Sequence, residues 1–333
     1  MKAAIALYSQ ASCLATRAKN ALYDQGWLKP RRAPLPVISV GSLALGGMGK
    51  TPLAAEILGH FLAGGRWPAL VSRGYKGAWE SRGGALSDGQ KILGDWRQAG
   101  DEPALVALRF PRAGVFVGKN RYFSCLRAKA EGFDLAVLDD GFQHRKLFRD
   151  LDIALYDPAE GLAWREPLSA LRRAHLILIQ EGSPAAVREK IRARFAKAKV
   201  LGYSVIPLEF LRAGTAERLP LGRLGKSEAL AFCGIARPER FFTMLEGLGL
   251  RLLDRIAFPD HHAYPESSWQ RIMDRVKFLK PEALVTTEKD AVKLAGRPLP
   301  ENGPPLYALR IGLSLDREFY EAIDSALKLR ERE

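Results

Sequence analysis

One short segment, GSLALGGMGKTP (Gly41–Pro52), constrains the fold more than any other part of the sequence. A phosphate-binding P-loop reads G-x-x-x-x-G-K-[ST] and joins a buried strand to a helix. The residues Gly49–Thr51 fit this pattern, whereas Ala44 occupies the position of the first glycine. An apolar run over 37–40 precedes the segment, and a helical pattern follows it directly. We interpret the segment as a phosphate-binding turn, because a plain strand-to-helix turn needs only one of its glycines.

Such a turn offers two kinds of contact to a phosphate. Backbone N–H groups at the start of a helix attract an anion, while Lys50 can reach the β- and γ-phosphate oxygens and Thr51 can ligate Mg²⁺. The predicted nucleotide-binding residues of the turn are Ala44, Leu45, Gly46, Gly47, Met48, Gly49, Lys50 and Thr51.

A P-loop protein also needs a carboxylate at the end of a neighbouring strand to hold magnesium. The segment FDLAVLDDGFQH supplies Asp139 and Asp140 directly after the apolar run Leu135–Leu138. Two adjacent aspartates can also simply cap a turn. With a P-loop upstream we favour the metal-binding interpretation, and the pattern leaves open which of the two aspartates is the direct ligand.

Short apolar runs alternate with helical patterns through most of the chain, for example VFVG, FDLAVLDD and HLILIQ. Continuous β-branched runs between helices are typical of strands buried on both faces of a parallel sheet. We therefore predict an α/β fold of the P-loop NTPase type, in which helices sandwich a mostly parallel sheet. The alternation pauses at 201–222, which predicts a two-stranded hairpin linker around Gly214, and then resumes in a second, smaller α/β domain.

Four segments follow from this pattern. Residues 1–30 predict an amphipathic helix that packs on the domain, lies on a membrane surface, or does both. We assign 31–200 to the P-loop domain, 201–222 to the hairpin linker and 223–333 to the smaller domain. We expect the smaller domain to close over the active site.

Charge and composition limit the partners. The chain carries 51 Lys and Arg against 37 Asp and Glu, and a net charge of +14 attracts nucleic acid, anionic lipid head groups or phosphorylated substrates. No run of about 18 consecutive apolar residues occurs, so the sequence predicts no membrane-spanning helix. The three cysteines are far apart, which is unsuited to a disulfide framework and indicates a reducing compartment.

Three further polar segments stand in loops or at expected strand ends. SRGY contains Arg73, GDEP contains Asp101, and FPDHH contains His261 and His262. Open α/β sheets bind ligands at the carboxyl ends of their strands. Taken singly, each residue also fits an ordinary role as a surface arginine, a helix cap or a hydrogen-bonded core histidine. Together they predict a site to which both domains contribute.

The segments VGSLALGGMGKTP, SRGY, GDEP, LDDGFQHR, REP, AFCGI, FPDHH and TTEKDAVK, in this order, resemble the tetraacyldisaccharide 4'-kinase family of lipid A biosynthesis. The resemblance extends from about Leu35 to Lys293. The loop of that family typically reads VGNxxxGGxGKTP, so Ala44 agrees with it and Ser42 replaces the usual Asn.

The resemblance implies ATP-dependent phosphorylation of the 4'-hydroxyl of a tetraacylated glucosamine disaccharide 1-phosphate, with ATP and Mg²⁺ as cofactors. It also implies a peripheral position on the cytoplasmic face of the inner membrane of a Gram-negative bacterium. An anionic glycolipid suits a net charge of +14, and an amphipathic N-terminal helix would reach acyl chains that stay in the bilayer. We expect a monomer and no nucleic-acid partner.

The resemblance also implies roles for single residues. Asp101 and His261 would act as a pair on the proton of the sugar hydroxyl, and His262 stays open as the alternative to His261. Lys50 would act on the transferred phosphate. The implied phosphate contacts are Arg73 and Arg121, and the implied magnesium residues are Thr51, Asp139, Asp140 and Glu166 of REP.

Two other classes of protein share part of this pattern. A P-loop GTPase or metal-insertion ATPase would carry a base-reading NKxD motif, and TEKD at Thr287–Asp290 imitates it with Glu where Asn should be. A nucleic-acid-binding ATPase is favoured only by the positive charge. Neither class accounts for LDDGFQHR or FPDHH.

Overall fold

The computed structural model describes residues 16–44, 46–158, 164–215, 217–299 and 303–331, without the side chains of 329 and 331. Leu45 and residues 1–15 of the predicted N-terminal helix lie outside the described residues. The chain forms two compact units, of which unit 1 comprises Met1–Ser204 and Leu313–Glu333 and unit 2 comprises Val205–Gly312.

The first half of the chain alternates strands and helices. In chain order the elements are α1 (helical over 16–24), β1 (Val37–Ser42), α2 (Lys50–Ala63), β2 (Pro68–Ser72), β3 (Gly84–Asp88), α3 (Trp96–Ala99), α4 (Asp101–Arg109), β4 (Gly114–Val117), α5 (Arg121–Ala130), β5 (Leu135–Leu138), β6 (Leu151–Tyr156), a 3₁₀ helix (Leu168–Arg173), β7 (Leu176–Gln180) and α6 (Ala185–Arg194).

The second half continues the alternation. Its elements are β8 (Lys199–Arg212), β9 (Arg218–Leu219), a 3₁₀ turn (Leu221–Leu224), β10 (Glu228–Cys233), α7 (Pro238–Gly247), β11 (Arg251–Ala257), α8 (Glu266–Leu279), β12 (Ala283–Thr287), α9 (Glu288–Leu294), β13 (Leu306–Leu315) and α10 (Arg317–Glu331). None of the described helices is long and apolar enough to cross a membrane.

Unit 1 contains a sheet with the strand order β8-β7-β6-β1-β5-β2-β4-β3. Neighbouring strands are parallel, except that β3 runs antiparallel to β4 at one edge. The predicted mostly parallel α/β sheet is therefore confirmed. Because β1 lies between β6 and β5, the turn after β1 and the aspartates after β5 come to the same edge of the sheet.

Helix α2 packs on this sheet through residues spaced three and four apart. Leu53, Ile57, Leu58 and Phe61 are buried, as expected for an amphipathic helix against a sheet. Its interior lacks proline after the first turn, and it ends at the glycine pair Gly64 and Gly65, of which the second has φ +78°.

The C-terminal helix belongs to unit 1, which differs from the predicted segment 223–333. Phe319, Ile323 and Leu327 of α10 are buried at a spacing of four residues. The Tyr320 hydroxyl donates to Glu56 of α2 at 3.0 Å, and His60 of α2 pairs with Asp324 at 2.8 Å. The apolar spacing was readable from the sequence, but spacing does not reveal which unit the helix packs against.

In unit 2 the strands β11-β10-β12-β13 are neighbours in this order, and the pairs between them are parallel. Two apolar cores lie within this unit, one containing Phe241, Phe242 and Leu245 of α7 and the other Trp269, Ile272 and Met273 of α8. A hairpin forms where the sequence predicted one, since Phe210 of β8 pairs with Leu219 of β9. However, β8 is a continuous strand that passes from unit 1 into unit 2, and the division falls inside it after Ser204.

Candidate functional site

The turn between β1 and α2 has the backbone of a phosphate-binding loop. Gly49, which precedes α2, has φ +88° and Gly46 has φ +119°, and both values favour glycine. A Cβ added at Gly47 would meet no atom within 4 Å. Since Gly49 has no side chain to cap the helix, the first N–H groups of α2 are left to a ligand.

The first half of the turn is fixed by hydrogen bonds to its carbonyl oxygens. The Ser42 hydroxyl donates to the Ala44 carbonyl at 2.8 Å, and the Gln143 amide donates to the Ser42 carbonyl at 2.8 Å. Ser42, which stands where the resembling family has Asn, thus closes the entry to the loop as a short polar side chain does in a turn.

The second half of the turn is fixed by a buried tyrosine. The Tyr203 hydroxyl of β8 donates to the Met48 carbonyl at 3.0 Å, and both side chains are almost fully buried. In the first half of the turn, the backbone N–H of Arg165 also donates to the Leu43 carbonyl at 2.7 Å. The loop is therefore held in shape by the protein itself, which reduces the ordering cost of binding a nucleotide.

The two aspartates after β5 meet the two reactive residues of the loop. The Thr51 hydroxyl donates to Asp139 Oδ2 at 3.0 Å, and Lys50 Nζ lies 2.8 Å from Asp140 Oδ1. Asp140 has the left-handed φ of +52°, which turns its side chain away from the course of β5. The sequence-predicted P-loop residues and the aspartate pair are therefore brought together at one sheet edge.

The two carboxylates have opposite electrostatic environments. Burial, followed by the charges of Glu102 and Asp140, raises the pKa of Asp139 to about 7, although Lys50 and the hydrogen bond from Thr51 act against this rise. Burial would raise the pKa of Asp140 as well, but Lys50 and Arg165 outweigh burial and hold it below its usual range. Asp140 is thus a charged carboxylate paired with Lys50 and Arg165, whereas Asp139 is a buried carboxyl that a further cation would stabilise in its charged form.

Asp139 has the properties of a metal ligand. Its Oδ1 atom is buried and has no hydrogen-bond partner among the described residues, while Oδ2 accepts from Thr51. A hydroxyl and a carboxylate oxygen are ligands that Mg²⁺ prefers. The donor set therefore fits a magnesium ion held by Thr51 and Asp139, with Asp140 paired instead to Lys50 and Arg165.

The implied phosphate contacts differ in their surroundings. Arg121, the first residue of α5, is 6% exposed, and its Nε lacks a hydrogen-bond partner within the described part of the chain. Burial lowers the pKa of its guanidinium, and Asp140 offsets part of this effect. Arg73 is half exposed and its Nε donates to Glu80 at 2.5 Å. The buried Nε of Arg121 thus has a donor to offer, whereas the Nε of Arg73 is already bonded to Glu80.

Asp101 is placed by a close contact of two loops. It is the buried first residue of α4, and its Oδ1 accepts from the Glu102 N–H at 3.0 Å. The turn before it packs against the SRGY loop so tightly that a Cβ at Gly77 would lie 2.6 Å from the Gly100 nitrogen, and one at Gly74 would lie 2.9 Å from the Ala99 oxygen. The glycines thus bring the Arg73 segment and Asp101 together.

Glu166 makes contacts other than those implied for it. It is fully buried, and its Oε2 accepts from Arg173 at 2.8 Å and from Asn20 of α1 at 3.1 Å. These contacts tie α1 to the 3₁₀ helix (Leu168–Arg173). The buried Oε1 of Glu166 has no hydrogen-bond partner among the described residues, and its role near magnesium stays a prediction. The neighbouring Arg165, which the sequence did not single out, binds Asp140 at 2.6 Å.

In unit 2 the two histidines of FPDHH have different surroundings. His262 stacks on Phe258 at 4.6 Å between ring centroids and its Nε2 lies 2.8 Å from the Ser268 hydroxyl. His261 has φ +61°, and its Nε2 lies 3.3 Å from Lys289 Nζ and 3.8 Å from Asp260 Oδ2. His262 is thus packed into the loop, whereas His261 belongs to a charged cluster with Lys289 and Asp260.

Comparison with known proteins decides the family. The sequence profile of the tetraacyldisaccharide-1-P 4'-kinase family matches residues 1–328. The chain belongs to this family. A tetraacyldisaccharide 4'-kinase of Anaeromyxobacter sp. (strain Fw109-5) is 38% identical over 332 residues, covering 93% of this chain and 87% of the relative. One of Geobacter metallireducens is 34% identical, with 98% of both chains covered.

A solved structure agrees with the family assignment. The LpxK protein of Aquifex aeolicus, crystallised in complex with ATP, has a TM-score of 0.75 to this chain at 29% identity, with 98% of each chain covered. The family membership predicted from the motifs is therefore confirmed, and the P-loop geometry described above is that of a family whose solved member binds ATP.

Three residues of the site escaped sequence reasoning. Gln143, Arg165 and Tyr203 hold or neutralise the phosphate loop and its aspartate, yet they lie far from it in sequence. Gln143 stands inside the LDDGFQHR motif and Arg165 inside REP, so the motifs pointed to the right segments. Tyr203 stands in an ordinary strand, and nothing in the sequence marks it.

Proposed function

We propose that this protein transfers the γ-phosphate of ATP to the 4'-hydroxyl of tetraacyldisaccharide 1-phosphate. The observation that carries the proposal is the assembly at the start of α2, where Lys50 pairs with Asp140 and Thr51 with Asp139. Phosphoryl transfer depends on positioning and on neutralising the charge of the transferred group, and this assembly supplies both. The family membership supplies the acceptor.

The nucleotide would bind along the loop of 44–51. Its phosphates would accept from the N–H groups at the start of α2 and from Lys50, which would leave Asp140 to Arg165. Thr51 and Asp139 would hold Mg²⁺, which when bound neutralises charge on the β- and γ-phosphates. Arg121 would supply its unused Nε donor to a phosphate oxygen.

The sugar hydroxyl becomes a competent nucleophile only when its proton has an acceptor. We propose Asp101 and His261 for this work as a pair. Support for Asp101 is its burial at the start of α4 beside Glu102, whose charge reaches Asp139. Support for His261 is its place in the charged cluster of the FPDHH loop.

We further propose a peripheral position on the cytoplasmic face of the inner membrane. The side chain of Leu22 in α1 is 38% exposed, and those of Trp27 and Leu28, which follow the helix, are 77% and 39% exposed. The same helix is fixed to unit 1 by Asn20 and by Asp24, which pairs with Arg145 and Arg172. A docked helix with exposed apolar side chains on a chain of net charge +14 suits an anionic lipid surface. The monomeric state stays a prediction.

The alternative of a GTPase switch is disfavoured by the TEKD segment. The aspartate that would read a base, Asp290, is fully buried and lies 2.8 Å from the equally buried Lys293 Nζ. Its other oxygen accepts from Gly234 N–H at 2.9 Å. A carboxylate committed in this way has a structural role.

The test is phosphate transfer from labelled ATP to tetraacyldisaccharide 1-phosphate in detergent micelles with Mg²⁺. We expect a bis-phosphorylated lipid, and a folded, ATP-binding protein that labels no lipid would refute the proposal. Asp101→Ala and His261→Ala should lower turnover by a factor on the order of 10²–10⁴ while ATP affinity is largely kept. Loss of ATP affinity in both variants would place the two residues in the nucleotide site instead.

A further inference from the structure

The TEKD segment forms a platform under the FPDHH loop of unit 2. Thr287 caps α9 by accepting from the Asp290 N–H at 3.1 Å, and its hydroxyl lies 2.7 Å from Asp290 Oδ2. The Asp290 carboxylate accepts in turn from the Gly234 N–H at 2.9 Å. Because Lys293 neutralises Asp290 inside the unit, this node is fully charge-balanced and fixed.

Gly234 links that node to His261. Its carbonyl accepts from the backbone N–H of His261 at 3.1 Å, while its own N–H donates to Asp290. A Cβ at Gly234 would lie 2.9 Å from His262 Cβ and 3.2 Å from the Pro259 oxygen, so the loop packs directly on the glycine backbone. The bond to the Gly234 carbonyl and the packing of the loop on this glycine accompany the left-handed φ of His261.

Lys289 completes the arrangement from the first turn of the same helix. Its Nζ lies 3.3 Å from His261 Nε2 and 3.6 Å from Asp260 Oδ1, and its side chain is 17% exposed. The His261 side chain is 15% exposed. The Lys289 ammonium group therefore lies close to both the imidazole of His261 and the carboxylate of Asp260.

We infer that Lys289 is a positioning residue that donates to His261 Nε2 and so holds the imidazole in the Nδ1–H tautomer. An ammonium group carries only donors, so the ring nitrogen facing it must offer its lone pair. In a neutral imidazole the proton then sits on the other nitrogen. The Asp260 carboxylate lies 3.6 Å from Nζ and 3.8 Å from His261 Nε2, so it holds the ammonium group beside the imidazole.

This inference deepens the proposed function and rests on it for the role of His261. A histidine whose Nε2 accepts from Lys289 carries its proton on Nδ1 and presents an Nδ1–H edge. That edge can donate a hydrogen bond to a carboxylate or to the substrate oxygen, and its direction is fixed by the platform of Asp290 and Gly234. Precise orientation of such a group is a large part of what a phosphoryl-transfer site must provide.

The first test is spectroscopic and needs no substrate. The chain contains five histidines, so ¹⁵N-histidine labelling gives a small set of imidazole signals, and His261→Gln identifies the signal of His261 by its loss. At alkaline pH, long-range ¹H–¹⁵N correlation reports which ring nitrogen carries the proton. We expect Nδ1–H for His261 in the wild-type protein, and the Nε2–H form usual for an exposed histidine in Lys289→Met.

The control is Lys277→Met, which removes the same charge from an exposed position on α8 of the same unit. It should leave the His261 signal unchanged. Lys289→Arg, which keeps a donor, should retain the Nδ1–H form. An Nε2–H tautomer in the wild-type protein would overturn the inference without any variant, so a folding defect in Lys289→Met cannot hide the answer.

The second test is kinetic. We expect Lys289→Met to lower kcat by on the order of 10²-fold with little change in KM for the lipid, because the residue acts through His261. In the His261→Gln background the same substitution should change kcat by less than about twofold. A raised KM with unchanged kcat, or an equal loss in both backgrounds, would instead make Lys289 a direct substrate contact and refute the inference.

The two tests separate this inference from the proposed function. If the wild-type protein transferred no phosphate to the lipid, the proposed function would fail while the tautomer measurement would still decide the contact between Lys289 and His261. If the lipid is phosphorylated but the tautomer is Nε2–H, the proposed function stands and the role of Lys289 falls.

Discussion

Gly41→Ala should uncouple the phosphate loop from its aspartates. Gly41 lies within β1, and a Cβ there would stand 2.5 Å from Phe142 Cβ and 2.8 Å from the Phe142 nitrogen. Phe142 follows the aspartate pair and its side chain is fully buried. Because the clash involves backbone and Cβ atoms, no side-chain rotation relieves it.

The size of the effect follows from these distances. Carbon atoms in contact normally stay about 3.5–4.0 Å apart, so β1 and the Phe142 segment must separate by about 1 Å. That separation would stretch the contacts of 3.0 Å between Thr51 and Asp139 and 2.8 Å between Lys50 and Asp140 beyond hydrogen-bond range. We expect a loss of about 1–3 kcal/mol in unfolding free energy and a fall in kcat/KM on the order of 10²-fold.

Urea unfolding and steady-state kinetics measure both quantities on the same preparation. The matched control is Gly47→Ala, whose new Cβ meets no atom within 4 Å. It should stay within about 0.5 kcal/mol of wild type in stability, yet weaken ATP binding because the open space lies in the loop that wraps the phosphates. If Gly41→Ala matched wild type in both stability and kcat/KM, the described packing of β1 on Phe142 would be wrong.

Two further substitutions test the surroundings of the site. Tyr203→Phe removes the hydroxyl that donates to the buried Met48 carbonyl, so calorimetry should show a loss of about 1–3 kcal/mol in unfolding free energy. The effect on ATP affinity should be smaller, because this hydrogen bond forms without nucleotide. An unchanged unfolding free energy would contradict the role of Tyr203 in anchoring the loop. Burial, followed by the charges of Arg121 and Arg149, lowers the pKa of His144 from 6.5 to about 3, so the folded chain gains stability that is full above about pH 6.5 and is lost as pH falls toward 3. When the pH is lowered from about 7.5 to 5.5, the unfolding free energy of His144→Gln should therefore fall by about 1 kcal/mol less than that of the wild-type protein. If the two unfolding free energies had parallel pH profiles, the buried, neutral state of this histidine would be refuted.

The sheet edge that carries the site was predictable from sequence. Apolar runs before GSLALGGMGKTP and before Asp139 predicted two buried strands, and a parallel sheet brings such strand ends to one edge. The structure places those strands side by side. Sequence patterns and the rules for connecting strands suffice to predict this part of the site, because strand order alone brings the phosphate loop and the aspartates together.

Other parts of the site were not predictable because they depend on side-chain contacts between distant segments. REP drew attention to Glu166, whereas the residue that reaches Asp140 is Arg165, one position earlier. A shift of one residue changes which side of the segment faces the loop, and sequence carries no signal for it. The sequence marks TEKD as an imitation of a base-recognition motif and as part of the family segment TTEKDAVK, but it does not show that these charged residues are organised around Gly234 and the FPDHH loop.

The most direct test of the central claim is the position of the transferred phosphate. Labelled ATP should phosphorylate tetraacyldisaccharide 1-phosphate, and ³¹P NMR of the product should show a second phosphate monoester on the 4' oxygen. The 4'-deoxy analogue of the same lipid should remain unlabelled under identical conditions. Label in the 4'-deoxy lipid, or a product phosphorylated at any other oxygen, would contradict the assignment of this protein as the kinase of the 4'-hydroxyl.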